Sequence, residues 1–141
     1  MPPLEPDDAR RRFGEARVAR LATVRADGRP HLVPVVFAVE GERVFTVVDA
    51  KPKTSPALQR LRNVEANPAV SLLVDHYDED WHAIWWVRAE GLARVVDSGA
   101  ERKQAIDLLT RKYPQEIAPR AAFGAALLVD VTRWVGWAAI E

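Results

Sequence analysis

The residues able to do chemistry concentrate between Thr46 and Pro68. An apolar run ends at Val47-Val48. It is followed by two lysines, Lys51 and Lys53, two hydroxyls, Thr54 and Ser55, and two arginines, Arg60 and Arg62. Thr54-Ser55-Pro56 reads as a helix start, because a hydroxyl residue caps free N–H groups and proline suits the first helical position. Asn67-Pro68 reads as its stop, since the residue before proline is pushed out of the helical region. A helix start carries unpaired N–H groups and partial positive charge, and the basic side chains add point charges and bidentate forks. The chemistry this offers is a seat for a phosphate. Judged by charge count alone, the same residues would be a solvated surface.

Other chemistries lack their residues. No GxGxxG or GxxxxGK[ST] loop occurs, so a Rossmann dinucleotide site and a P-loop have no backbone to cradle their phosphates. No GxSxG nucleophile elbow occurs. His31, His76 and His82, with Asp75, Asp78, Glu79 and Asp80 near the last two, match no metal-ligand spacing, and the acidic run reads as a solvated loop. No metal site is expected. Cysteine is absent, which excludes disulfides, thiolate metal sites and cysteine nucleophiles. With 20 basic against 20 acidic residues, there is no global field to draw nucleic acid or an anionic membrane. No apolar run approaches the ~20 residues of a membrane helix. Met1-Pro-Pro-Leu-Glu-Pro has no basic start leading into an apolar core, so no signal peptide is read and a cytoplasmic location is expected.

The elements that must position the basic segment are mostly strands. Asp7–Phe13 reads as a short helix, acidic first and basic later. Strands are expected over 18–24, 30–39 and 43–48, joined by the Asp27-Gly28 hairpin signal and a turn at Gly41. Pro34 within the second argues for an edge position, a bulge or a kink. Further strands are expected over 69–74, 83–96 and 124–132, with a bulge at Gly91 in the long one. An amphipathic helix over 101–113 would bury Ala105, Ile106, Leu108 and Leu109. Six strands in a meander with short helices inserted predict a mainly β protein, a small closed or split β-barrel, with residues 1–141 forming one domain. Adjacent Trp85 and Trp86 on one strand must point to opposite faces. One fills the barrel, and the other needs a second apolar surface, for which a homodimer interface is the expectation.

In order along the chain, these segments resemble the pyridoxamine 5'-phosphate oxidase-like (PPOX class) FMN-binding split-barrel superfamily. The resemblance is carried by the hairpin Val18–Phe37, by Leu58-Gln-Arg-Leu-Arg-Asn-Val-Glu-Ala-Asn-Pro68 with its following strand, and by Trp85-Trp-Val-Arg-Ala-Glu-Gly-Leu-Ala-Arg94. Lys112-Tyr-Pro-Gln115 and Arg133-Trp-Val-Gly-Trp137 resemble the branch that uses the deazaflavin coenzyme F420. Together the segments cover nearly the whole chain.

The resemblance implies a six-stranded antiparallel split β-barrel, with residues 1–141 as a single cofactor-binding domain, forming a homodimer with two cofactor grooves at the subunit interface. Carried over position by position, Arg60 matches the basic residue before an Arg-Asn pair, and Arg62 and Asn63 match the pair. Lys51, Lys53, Thr54 and Ser55 lie where the family holds the cofactor phosphate, in a stretch with extra residues relative to shorter relatives. Pro34, Val35, Val36 and Phe37 match the strand whose backbone lies against the cofactor ring, and Val47 and Val48 its neighbour. Trp134 and Trp137 are candidates for the partner subunit's wall of the groove. The implied cofactor is coenzyme F420, whose acidic tail would suit Lys51 and Lys53, with FMN as the alternative. The implied activity is hydride transfer between the deazaflavin and an unsaturated organic small molecule. An FMN-dependent oxidase or reductase, or a flavin-, deazaflavin- or haem-binding protein without turnover, are the alternatives. Solvent, His31 and Tyr113 are the available proton sources, and the sequence selects none of them.

Overall fold

The computed structural model describes residues 3–49, 54–114 and 123–139. Lys51 and Lys53 lie outside them. Among the described residues, three α-helices and seven strands follow in the order α1 (Pro6–Glu15), β1 (Ala19–Val24), β2 (Pro30–Val35), β3 (Ala38–Glu40), β4 (Arg43–Asp49), α2 (Gln59–Ala66), β5 (Ala69–His76), β6 (Trp85–Val96), α3 (Ala100–Lys112) and β7 (Phe123–Ala138). They form one antiparallel sheet of order β2-β1-β5-β6-β7-β4-β3. The protein is therefore mainly β, as expected, with seven strands where six were read.

The seventh strand comes from the break between β2 and β3, and that break explains the barrel. Val36 and Phe37 alone separate two strands that lie at opposite edges of the sheet. Two residues reach only about 7 Å when extended, so the sheet must roll until its edges meet. No ladder pairs β2 with β3, because the backbone of the crossover is engaged elsewhere. The Thr46 hydroxyl donates to the Val36 carbonyl at 2.7 Å, and the Phe37 N–H donates to the Tyr113 hydroxyl at 3.2 Å. That hydroxyl also lies 2.9 Å from the Phe37 carbonyl and 3.0 Å from the Arg17 carbonyl. Pro34 fits at the edge strand β2, where the missing N–H interrupts no inner ladder.

The remaining elements follow their sequence patterns. Ladder register slips between Glu90 and Gly91, where a Cβ would stand 2.3 Å from the Asp130 carbonyl oxygen, so only glycine fits that close approach. The last strand runs on past Thr132 to Ala138, because its second half pairs with the first half of β6. The barrel core holds Phe13, Phe37, Leu21, Leu72, Val87 and Leu127, with α1 closing one end through Ala9 and Phe13. A second cluster packs Ala105, Leu109 and Tyr113 of α3 on Phe45 and Leu128, while Ile106 and Leu108 are only partly covered. Trp85 and Trp86 do part: Trp85 packs on the barrel core beneath the Arg12 guanidinium, whereas Trp86 pairs across the sheet with Trp137 and carries Arg88 over its ring.

No described helix is long and apolar enough to cross a membrane.

Candidate functional site

A groove opens at the seam where the sheet edges meet. It is a cavity of about 180 Å³ lined by Pro34, Val35 and Val36 from the crossover edge, Thr46, Val47 and Asp49 from β4, Arg60 from α2, and Phe123 at the start of β7. The walls are backbone and small β-branched side chains, which leave room for a flat group. Among the described residues, Arg60 is the only cation in the lining.

Arg60 sits in the first turn of α2. That helix is preceded by a 3-10 turn over Pro56–Leu58, in which the Leu58 N–H donates to the Ser55 carbonyl at 3.1 Å. No side chain caps the helix, so the expected hydroxyl cap is replaced by a backbone turn. Arg60 is more than half buried. Its Nε is covered and has no hydrogen-bond partner among the described residues. Burial lowers its pKa, and the nearby Asp49 carboxylate opposes that shift. A buried guanidinium nitrogen left unpaired is expensive, and an anion is the partner that would satisfy it.

The rest of the expected site residues divide by location. Pro34, Val35, Val36, Val47 and Arg60 come together in the groove. Val48 and Arg62 line a separate cavity of about 550 Å³ beneath α2, which meets the groove at Asp49. Arg62 reaches back to the Gln59 side chain at 3.1 Å and towards the Ser55 carbonyl. Thr54 is exposed and Ser55 half-buried at the helix entrance. Phe37 is fully buried, with its ring tilted at 55° against Phe13, and Asn63 is buried between Gln59 and Thr23, whose hydroxyl accepts its amide at 2.9 Å. Trp134 packs edge-on against Phe13 and donates to Glu42 at 2.7 Å. Trp137 lies opposite Trp86 in the ladder, away from the groove, with a buried Nε1 that has no partner. Among the described residues no group of three His, Asp or Glu side chains stands close enough to hold a metal ion.

Thr46, Asp49 and Phe123 line the groove although their sequence context did not single them out. Asp49 stands two residues after Val47, so strand alternation was the signal that would have found it, whereas Thr46 is brought in by its hydroxyl's bond to the Val36 carbonyl. Phe123 arrives through the β4–β7 pairing, where it lies opposite Asp49, a contact that only the sheet order produces.

Known proteins share this architecture. The family model described as pyridoxamine 5'-phosphate oxidase matches residues 6–138. A 5a,11a-dehydrotetracycline/5a,11a-dehydrooxytetracycline reductase of Streptomyces rimosus subsp. rimosus is 32% identical over 101 residues, which is 70% of each chain. A conserved hypothetical protein of Mycobacterium tuberculosis superposes with a TM-score of 0.77 at 21% identity, covering 96% of this chain and 86% of the other. An FAD-binding protein of Mesorhizobium loti does so with a TM-score of 0.74 at 19% identity, covering 96% and 93%. At those identities the two structures speak for the fold, whereas the family match spans nearly the whole chain. The chain belongs to the pyridoxamine 5'-phosphate oxidase family of split-barrel, flavin-type oxidoreductases.

Proposed function

We propose that this protein is a coenzyme F420-dependent oxidoreductase that works as a homodimer in the cytoplasm. In this reading hydride passes between the deazaflavin and an unsaturated organic substrate. The observation that carries the reading is the pairing of an unsatisfied, half-buried Arg60 with a narrow groove walled by backbone and small side chains. That pairing suits a ligand with a flat ring at one end and an anionic group at the other. The similar reductase acts, by its name, on a dehydro compound, which is the kind of acceptor a reduced deazaflavin would serve.

When bound, the deazaflavin supplies the hydride. The chain's own residues supply position. Arg60 holds the phosphate by charge-assisted hydrogen bonds. Pro34–Val36 and Val47 present backbone and short side chains to the ring face. Thr46 fixes the crossover through its bond to the Val36 carbonyl, so the ring-facing backbone is rigid before the cofactor arrives. Lys51 and Lys53 follow Asp49 in the chain and would add positive charge for the acidic tail.

At about 180 Å³ the groove is smaller than the roughly 300 Å³ at which small-molecule sites begin. One subunit therefore offers part of a site, and the homodimer reading lets a second copy complete it. The outer sheet face bearing Trp86, Trp137 and Leu73 is the surface we assign to that second copy.

The experiment is a titration of the purified protein with F420 and with FMN, followed by intrinsic Trp quenching and ligand fluorescence, with sedimentation for the oligomer. Micromolar or tighter F420 binding with weak FMN binding is the expected result. The reverse order transfers the protein to FMN chemistry on the same fold. Binding of neither overturns the cofactor reading.

A further inference from the structure

His31 stands beside Arg60 for reasons of register. It lies directly opposite Thr23 in the β1–β2 ladder. Directly opposed residues of an antiparallel pair project to the same face of the sheet. Thr23 is buried on that face and accepts a hydrogen bond from Asn63 of α2. Arg60 precedes Asn63 by three residues, so the two side chains share one face of the helix. The chain of neighbours His31, Thr23, Asn63 and Arg60 therefore runs beneath α2 without a gap.

Among the described residues, five side-chain nitrogens are buried without a hydrogen-bond partner, and two of them, Arg60 Nε and His31 Nδ1, belong to residues on this chain of neighbours. The outward positions of β2 alternate away from them at Leu32 and Pro34, so His31 faces inward with Val33 and Val35. The charged groups acting on His31 are Arg25, from the β1–β2 turn, and Arg60, from α2, and both are cations. Burial and these two cations, in that order, hold its pKa below the ordinary 6.5. An imidazole under the influence of two guanidiniums, with a covered nitrogen lacking a partner among the described residues, is arranged to meet an anion that arrives from outside.

Building on the cofactor reading above, we propose that His31 is the second arm of the anion seat centred on Arg60, and that it takes up a proton when the cofactor's phosphate binds. The bound anion offsets Arg25 and Arg60 and stabilises the imidazolium, which then donates from the nitrogen that has no partner in the free protein. The sign of the linkage follows. A group whose pKa rises on binding makes binding tighter as pH falls. The gain is complete below the free protein's pKa, which lies under 6.5, and is lost as pH rises through the pKa of the complex. The phosphodiester of F420 does not titrate in this range, and any other ionisation of the cofactor is common to wild type and a His31 variant, so the difference between the two belongs to His31.

The test is a ring-proton NMR titration of the full chain between about pH 5 and 8, free and with F420, FMN or sulfate. There are three histidines. The signal of His31 is identified by its loss in His31→Gln. If that variant does not fold, the His76→Gln and His82→Gln variants assign it by elimination, since both of those rings are on the surface. The expected result is a His31 pKa that rises by about one unit or more with a bound cofactor while His76 and His82 stay in place. From pH 8 to 5, F420 affinity should then tighten roughly tenfold more in the wild type than in His31→Gln. Cofactor binding with an unmoved His31, or a His31→Gln variant that keeps the slope, overturns the role of His31 and leaves the cofactor reading standing. If neither cofactor binds but sulfate raises the His31 pKa, and Arg60→Ala abolishes that rise, the seat stands and the cofactor reading falls. If no anion moves His31, both fall.

Discussion

The two residues of the crossover meet opposite fates. Val36 faces the groove lined by Arg60, whose Nε is buried with no partner among the described residues. Phe37 sends its ring into the barrel core against Phe13, and its backbone meets Tyr113, which contacts three backbone groups through one hydroxyl. Polar groups are buried on both sides, and only one side satisfies them from within the chain. The Tyr113 side builds the fold, because its hydroxyl replaces the ladder bonds that the break between β2 and β3 gives up. The groove side is arranged for a partner from outside, because a satisfied cation there would have nothing left to offer a phosphate.

The largest effect expected from breaking this contrast is on binding. Arg60→Ala should remove a charge-assisted contact of about 1.5–3 kcal/mol and weaken cofactor affinity roughly 10- to 100-fold, measured by the same fluorescence titration. Its thermal stability should hold or rise, since the change deletes an unsatisfied buried group. Unchanged affinity would remove Arg60 from the seat. Tyr113→Phe should do the reverse. It leaves the Phe37 N–H and its neighbours without their hydroxyl, lowers unfolding stability by about 1–3 kcal/mol in urea, and leaves affinity close to wild type wherever the protein is folded. Equal loss of affinity and stability in both variants would erase the distinction between the two sides.

Lys112 gives the smallest and most specific test. Its Nζ is buried without a hydrogen bond to any described residue, 3.8 Å from the centre of the Phe37 ring, and desolvation followed by the charge of Arg17 lowers its pKa from 10.5 to about 8. The unfolded chain therefore binds more protons than the folded one between about pH 8 and 10.5, and stability from this group rises with pH across that window. Below it both states are charged and the full penalty is present. Lys112→Met should raise the melting temperature modestly at pH 7, with the advantage shrinking as pH climbs from 8 towards 10.5. A constant advantage over that range would show that packing, and not charge, is responsible.

Much of the architecture was legible in the chain because strand alternation, Asp27-Gly28 and Gly91 act locally. The expected strand over 30–39 did not hold as one piece, because the partners that divert its backbone, Thr46 and Tyr113, lie 10 and 76 residues away. The basic segment was legible as a group of charges, but its members separate in space. Arg60 and Arg62 are two residues apart on a helix, so they point to different faces, one to the groove and the other to the cavity beneath α2.

By itself the sequence determined the mainly β class, the hairpin, the bulge and the chemistry on offer, since each follows from short-range backbone preference and residue type. Tertiary structure decided which cation is buried, that His31 joins it, and that Phe123 closes the groove. Burial and proximity between distant segments arise only when the sheet rolls and its edges meet, and no local pattern encodes that meeting.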